Sequence, residues 1–370
     1  MATSVEAVAG CFAVTGELCA VEPFAGGHIH DSYRLTYRQG HSSARYLVQR
    51  INNRIFRDPA GLMENIRRVT THVARRLSAR GEAEIGRRVL ALVLARDGVP
   101  FHRDDSGAFW RLYEFIENTC VLEFVQTPAQ AEQAGRAFGE FQRLLEDLPA
   151  PRLRETIPDF HNTPLRYAAL DRAIAADVCR RVALAATEIE FVGRRRALAS
   201  ALLDLHRAGD IPERVVHNDA KIANVLLDAE TGAALCVVDL DTVMPGLSLY
   251  DFGDMVRTMT NPSAEDESDL SRVEVQVPLF EALARGYLYA AGGFLNAAER
   301  AQLVTAGKLI MLEQGVRFLA DFLSGDTYYK TQRPGQNLDR CRTQLKLLAS
   351  LERYEDALTR LVIGLPGTRT

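Results

Sequence analysis

The stretch from 214 to 243, RVVHNDAKIANVLLDAETGAALCVVDLDTV, restricts what this chain can become more than any other. Its apolar runs, RVV, VLL and LCVV, are short and β-type, and polar residues cluster at their ends: His217, Asp219, Asn224 and Asp239. The turn DAETGA joins the last two runs as a hairpin. Such a hairpin is expected to bring Asn224 and Asp239 to one end. An amide oxygen beside a carboxylate is a hard oxygen site suited to Mg²⁺, which keeps waters and takes further ligands from phosphates. Asp219 precedes Asn224 by five residues. It is then placed beside the metal to accept a proton from an attacking hydroxyl. The plainer alternative is that these residues only cap turns.

Around this island the chain changes character. LCAVEPF, SYRLTYR and ARYLVQRI read as strands, with RQGHSSA as the hairpin turn between the second and third. The segment from Pro59 reads as a helix, with Asp58 as N-cap, Pro59 at the first position and apolar residues recurring at three and four. RRVLALVLARDG and AFWRLYEFIEN then read as two more strands joined by RDDSG. After Asn118 the pattern is helical, beginning with TPAQAEQAGRAFGEFQRLLEDL, for which Thr127 is the N-cap and Pro128 the first residue. The expected class is α+β: a small lobe over residues 1–117, a five-stranded sheet plus one helix, and a large helical lobe over 118–370.

The spacing His-x-Asp-x-x-x-x-Asn, then a strand ending in Asp, is the catalytic-loop pattern of kinases, written here as HNDAKIAN and VVDLD. Two departures matter. Protein kinases carry Arg after the His, where this chain has Asn218, and no Ala-Pro-Glu element follows. Both point to a small-molecule kinase rather than a phosphorylation-switched one. Lys221 could reach the transferred phosphoryl group as a point charge, or be an ordinary surface lysine.

With these residues in place, the sequence resembles the aminoglycoside phosphotransferase and choline kinase superfamily, and within it the bacterial N-acetylhexosamine 1-kinases. GGHIHDSY, YLVQRIN, GLMENIRRVT, WRLYEFIENT, FGEFQRLL, IPDFHNT, HNDAKIANVL, VVDLDTVMPGLSLYDFGD and GVRFLADFLSGDTYYK carry the likeness. The resemblance implies a protein-kinase-like two-lobed fold. It also implies Mg²⁺-dependent transfer of the ATP γ-phosphate to the anomeric hydroxyl of an N-acetylhexosamine. Asp219 matches the base, Asn224 and Asp239 the metal ligands, and Arg317 and Tyr328 the sugar pocket. From the residues alone, Arg317 and Asp321 lie four apart on a helix and could simply pair with each other. Tyr328 could equally be a packing aromatic.

In the small lobe, AGGHIHD stands where a Gly-rich phosphate loop is expected. Gly26 and Gly27 would let backbone approach phosphate, and His28 could reach phosphate or sugar, or be a plain loop residue. The strand lysine that contacts phosphates is missing. Gln49 or Arg50 stands there, facing opposite sides of the strand, with Glu64 as the ion-pair partner that only Arg50 would preserve. Backbone groups of Glu114, Phe115 and Ile116 are expected to meet adenine.

Composition, 47% hydrophobic and 25% charged, is that of a globular protein, and a net charge of −4 argues against a nucleic-acid partner. Arginine runs such as GRRRALAS read as solvated faces. The six cysteines form no CxxC pair and read as reduced, mostly buried thiols. No signal peptide or membrane span is expected, and the cytoplasm is the default. The tripeptide Asp251-Phe252-Gly253 spells the kinase metal signature. It lies too far past Asp219 for that role, so it is expected to open a helix, with Asp251 or Asp254 capping amides or bracing the catalytic loop. SAEDESD (263 to 269) could line a pocket for a cationic acceptor such as an amino alcohol or aminoglycoside, or be a solvated loop.

Overall fold

The computed structural model describes residues 4–25 and 29–366. The chain forms two compact units, and each exchanges chain with the other more than once. Where the sequence puts a single boundary after residue 117, the first unit comprises Met1–Cys120, Asp147–Pro158 and Leu226–Met244. The second comprises Val121–Glu146, Asp159–Val225 and Pro245–Thr370.

In the first unit, β1 (Glu17–Pro23), β2 (Asp31–Gln39) and β3 (Ser42–Arg50) form an antiparallel meander. Gly40, at φ +65°, makes the tight turn between β2 and β3. β4 (Leu92–Val93), β5 (His102–Arg103) and β6 (Phe109–Glu114) follow, and β6 lies beside β3. The sheet therefore has six strands, not the expected five, because His102–Arg103 adds a short pairing on β6. The turn into β6 is built on buried Asp104, whose carboxylate accepts the amides of Ser106 and Ala108 and the Trp110 indole N–H. Burial would push this carboxyl up, but those donors win and hold it at about 2. Leu35, Val48, Trp110 and Leu112 pack with Val8, Ala9 and Phe12 as the core on one face of the sheet.

The helix Pro59–Ala79 begins as expected, with Asp58 accepting the Gly61 amide at 2.9 Å. Leu62, Ile66, Val69, Val73 and Leu77 form its buried stripe. β7 (Thr119–Cys120) pairs with β9 (Val225–Asp228), which in turn pairs with β10 (Ala234–Val237) as the hairpin read from DAETGA.

The second unit is helical apart from β8 (Arg214–Val216) and the end of β11 (Met244–Gly246). The helix Pro128–Leu144 opens with the expected Thr127 cap, completed as a capping box by Gln130. It packs backbone to backbone on the helix Val277–Ala291: a Cβ on Gly286 would lie 2.1 Å from the Glu132 carbonyl. Two long helices, Leu303–Leu323 and Gln336–Gly364, complete the layer. No helix among the described residues is long and apolar enough to cross a membrane. The six thiols are free, but only Cys236 and Cys341 are buried; Cys19, Cys120 and Cys179 fall on exposed segments, which corrects the mostly buried reading.

Candidate active site

In the second unit, β8 delivers His217 between the rings of Phe138 and Phe141, with centroids 5.3 and 5.9 Å away. The next residue, Asn218, is left-handed (φ +65°). The fully buried Asp251 clamps this turn, accepting the amides of His217 at 2.9 Å and Asn218 at 2.7 Å, with Gln142 Nε2 at 2.7 Å as a third donor. Burial raises the Asp251 carboxyl above its ordinary range, against the pull of these donors. The brace expected of Asp251 or Asp254 is therefore Asp251; Asp254 pairs with Arg257 at 2.8 Å. DFG here belongs to the helix Ser248–Met259. Its glycine is required by packing, since a Cβ on Gly253 would sit 2.5 Å from the Ala306 carbonyl.

The clamp presents Asp219, whose side chain is 30% exposed. Its Oδ2 accepts from Lys221 Nζ at 2.8 Å and Asn224 Nδ2 at 3.0 Å. Its Oδ1 accepts nothing from the described residues. Burial pushes the carboxyl up, but Lys221, then His217 and Asn224, outweigh it and hold the group below its ordinary value. Asp219 is thus an ionised acceptor with one oxygen free. Asn224 is buried and also donates to the Asp219 carbonyl at 2.8 Å. Its amide nitrogen is spent on Asp219, so its oxygen is turned away from it, as a hard-cation ligand requires. Asp239, in the first unit, has φ +60° and ψ 57°, a left-handed conformation that is strained for a residue with a side chain. An amide oxygen and a carboxylate are each hard donors of the kind magnesium takes. Among the described residues no three His, Cys, Asp or Glu side chains gather as a metal cage.

His161, from the IPDFHNT stretch, sits on the same loop. Its Nε2 lies 3.2 Å from the Asn218 carbonyl and its Nδ1 2.8 Å from Glu313. His161 thus bridges the Asn218 carbonyl and the Glu313 carboxylate. Thr163 adds a third bond to the fully buried Glu313 at 2.6 Å. Burial would raise this carboxyl, but the His161 partnership keeps it low. One turn on, Arg317 does not pair with Asp321. The Asp321 carboxylate instead collects the amides of Thr327, Tyr328 and Tyr329 at 2.8–3.0 Å and Asn337 Nδ2 at 2.9 Å. Arg317 lies against the rings of Phe160 and Tyr329, at 5.6 and 5.8 Å, with no carboxylate partner among the described residues. Burial lowers and the neighbouring Tyr329 and Glu313 raise its basicity, with a net rise. Tyr328 is 67% exposed, whereas the Tyr329 hydroxyl is buried without a hydrogen-bond partner. The acidic stretch 264–269 is spent on its own neighbours: Glu265 on Arg257, Asp266 on Gln336 and Glu267 on Arg272.

In the first unit, Gly26, Gly27 and His28 lie outside the described residues. The strand position resolves to Gln49, which faces inward and bonds Ser32 Oγ at 3.0 Å and Arg111 Nε at 2.9 Å. Arg50 is exposed, 3.8 Å from Asp31. Glu64 pairs with Arg67 along its own helix at 2.9 Å, so the expected strand–helix ion pair is absent in either register. What sequence reasoning missed is Arg111, which grips Asp241 with both terminal nitrogens, Nη2 at 2.7 Å from Oδ2. At 114–116, the Glu114 amide bonds the Ala91 carbonyl and the Phe115 amide bonds the Arg45 carbonyl, both within 3.0 Å. Of these three, only Ile116 has an amide without a partner among the described residues.

The model of the Phosphotransferase enzyme family matches residues 20–284. Among solved structures, an aminoglycoside phosphotransferase from Alicyclobacillus acidocaldarius superposes with a TM-score of 0.59 at 13% identity, covering 99% of this chain and 98% of the other. A microcompartment-associated aminopropanol kinase gives 0.54 at 17% identity, covering 95% and 97%. The AMP-bound spectinomycin phosphotransferase gives 0.50 at 12% identity, covering 94% of each chain. At such identities these likenesses speak for the fold alone, and it is the expected protein-kinase-like one. The family match spans well over half the sequence and takes in the whole catalytic loop, so the chain belongs to the Phosphotransferase enzyme family.

Proposed function

We propose that this phosphotransferase moves the γ-phosphate of ATP, with magnesium, onto the anomeric hydroxyl of an N-acetylhexosamine, giving the sugar 1-phosphate and ADP. The supporting observation is the charge balance of the second unit. Among the described residues Arg317 has no carboxylate partner, Asp321 is consumed by backbone amides, and the acidic stretch is paired with Arg257, Arg272 and Arg333. A cationic acceptor needs uncommitted carboxylates; a neutral, oxygen-rich one needs donors.

The free Oδ1 of Asp219 takes the proton of the anomeric hydroxyl as that oxygen attacks the γ-phosphorus in line and the bond to the ADP oxygen breaks. An anomeric hydroxyl is more acidic than an ordinary alcohol, so a carboxylate suffices. Lys221 holds the other Asp219 oxygen and offsets negative charge as the phosphoryl group passes. Asn224 and Asp239 are the proposed metal ligands by their motif positions and donor chemistry. When bound, magnesium supplies charge neutralisation on phosphate oxygens. Arg317, with Tyr328, is assigned to the acceptor.

ADP release from Mg-ATP with reducing sugars, choline, an aminopropanol and aminoglycosides tests the reading. The expected result is turnover of N-acetylhexosamines, with a proton-coupled phosphorus spectrum placing phosphate on C1. Turnover of the amines alone, the acceptor class named for a structural neighbour, would sink it.

A further inference from the structure

We propose that Arg111 and Asp241 are positioning residues for Asp239: the ion pair that protein kinases build between a strand lysine and a helix glutamate is rebuilt here one strand over, and acts on the metal-ligand turn. The inference rests on the metal role proposed for Asp239.

Register comes first. Gln49 on β3 is directly opposite Arg111 on β6, so a cation missing from one strand is supplied in the same row by its neighbour. The two side chains meet, Arg111 Nε donating to Gln49 Oε1. Both terminal nitrogens of Arg111 then go to Asp241, and the side chains are 2% and 3% exposed. An arginine this enclosed, with its fork filled by one carboxylate, does not reach out to a nucleotide phosphate.

Asp241 is pinned from two further sides. His30 Nε2 lies 3.1 Å from Oδ2, and since His30 Nδ1 accepts the Asn52 amide at 3.0 Å, Nε2 is the donor. The Asp241 carbonyl accepts the Thr156 hydroxyl at 2.7 Å. The side chain and backbone of the residue two places beyond Asp239 are therefore both fixed, inside the short helical turn Leu240–Thr242. Asp239 itself is left-handed, a conformation that persists only where its surroundings impose it. The pinned turn imposes it, and so aims the Asp239 carboxylate.

The test uses the charge-balanced double variant Arg111→Met/Asp241→Asn, which leaves no carboxylate buried alone, together with Arg111→Lys, which keeps the charge but loses the planar fork. Mn²⁺ binding to the ADP complex is read from the free-ion paramagnetic resonance signal, beside acceptor KM and circular dichroism. The expected result is Mn²⁺ affinity weakened by about tenfold or more in the double variant and less in Arg111→Lys, with acceptor KM unchanged. Unchanged Mn²⁺ affinity in either folded variant overturns the inference. Asp239→Ala separates the two layers: if it retains Mn²⁺, the metal assignment itself is wrong and the positioning role goes with it.

Discussion

Arg111 is buried and Arg317 half-buried, yet one is finished and the other is not. In the first unit, Arg111 spends its fork on Asp241 and its Nε on Gln49, and Asp241 is completed by His30. In the second, Arg317 faces aromatic rings, and its one obvious partner is bound elsewhere. A buried charge that is fully paired holds structure in place. The acceptor role proposed for Arg317 rests on its being left without a counter-ion among the described residues.

That contrast can be broken at several points. The largest effect is expected from Asp219→Asn, which removes the open acceptor: kcat should fall by about a hundred- to ten-thousandfold, measured by ADP release, with the fold intact by circular dichroism. Full activity would remove Asp219 from the reaction. Arg111→Met alone orphans the Asp241 carboxylate and should cost about 3–5 kcal/mol in urea unfolding; a loss under 1 kcal/mol by the same measurement, about the size expected for a surface change, would mean that the pair is not the closed element described. Arg317→Met should do the reverse, raising acceptor KM by about ten- to a hundredfold while stability changes by less than about 1 kcal/mol. If stability collapses instead, Arg317 belongs with the scaffold.

The smallest expected change is in pH dependence. Lys221 holds the Asp219 carboxyl low, so the native base stays ionised below the usual aspartate range. Its folded value lies below its unfolded one, so its contribution to stability is present above the unfolded value and is lost as pH falls through the folded one. Lys221→Met should move the acid limb of kcat/KM to higher pH. An unmoved limb would show that another group sets it.

The catalytic loop was legible because its signal is local: five residues fix Asp219 and Asn224 relative to each other, and the apolar runs around them set the turn. The Asp58 and Thr127 caps were legible for the same reason. The Arg111–Asp241 pair spans 130 positions, and Arg111 lies in a strand buried on both faces, where alternation does not announce which side chain points at what. Arg317 and Asp321 show the opposite failure. Spacing on the helix favours their pairing, but three amides at 327–329 offer Asp321 more hydrogen bonds than one guanidinium does. Glu64 went astray similarly, captured by Arg67 along its own helix.

At the 217–218 turn, Asp251 grips main-chain amides. It therefore enforces a backbone path and is indifferent to the letters written on it. Position 218 suits residues that accept a left-handed turn, with Asn and Gly the easiest, while replacing Asp251 removes the carboxylate that accepts both amides. Recognition of distant kin should thus weight the aspartate that opens the downstream helix above the residue that follows the histidine, although the latter is the one that separates this chain from protein kinases on paper.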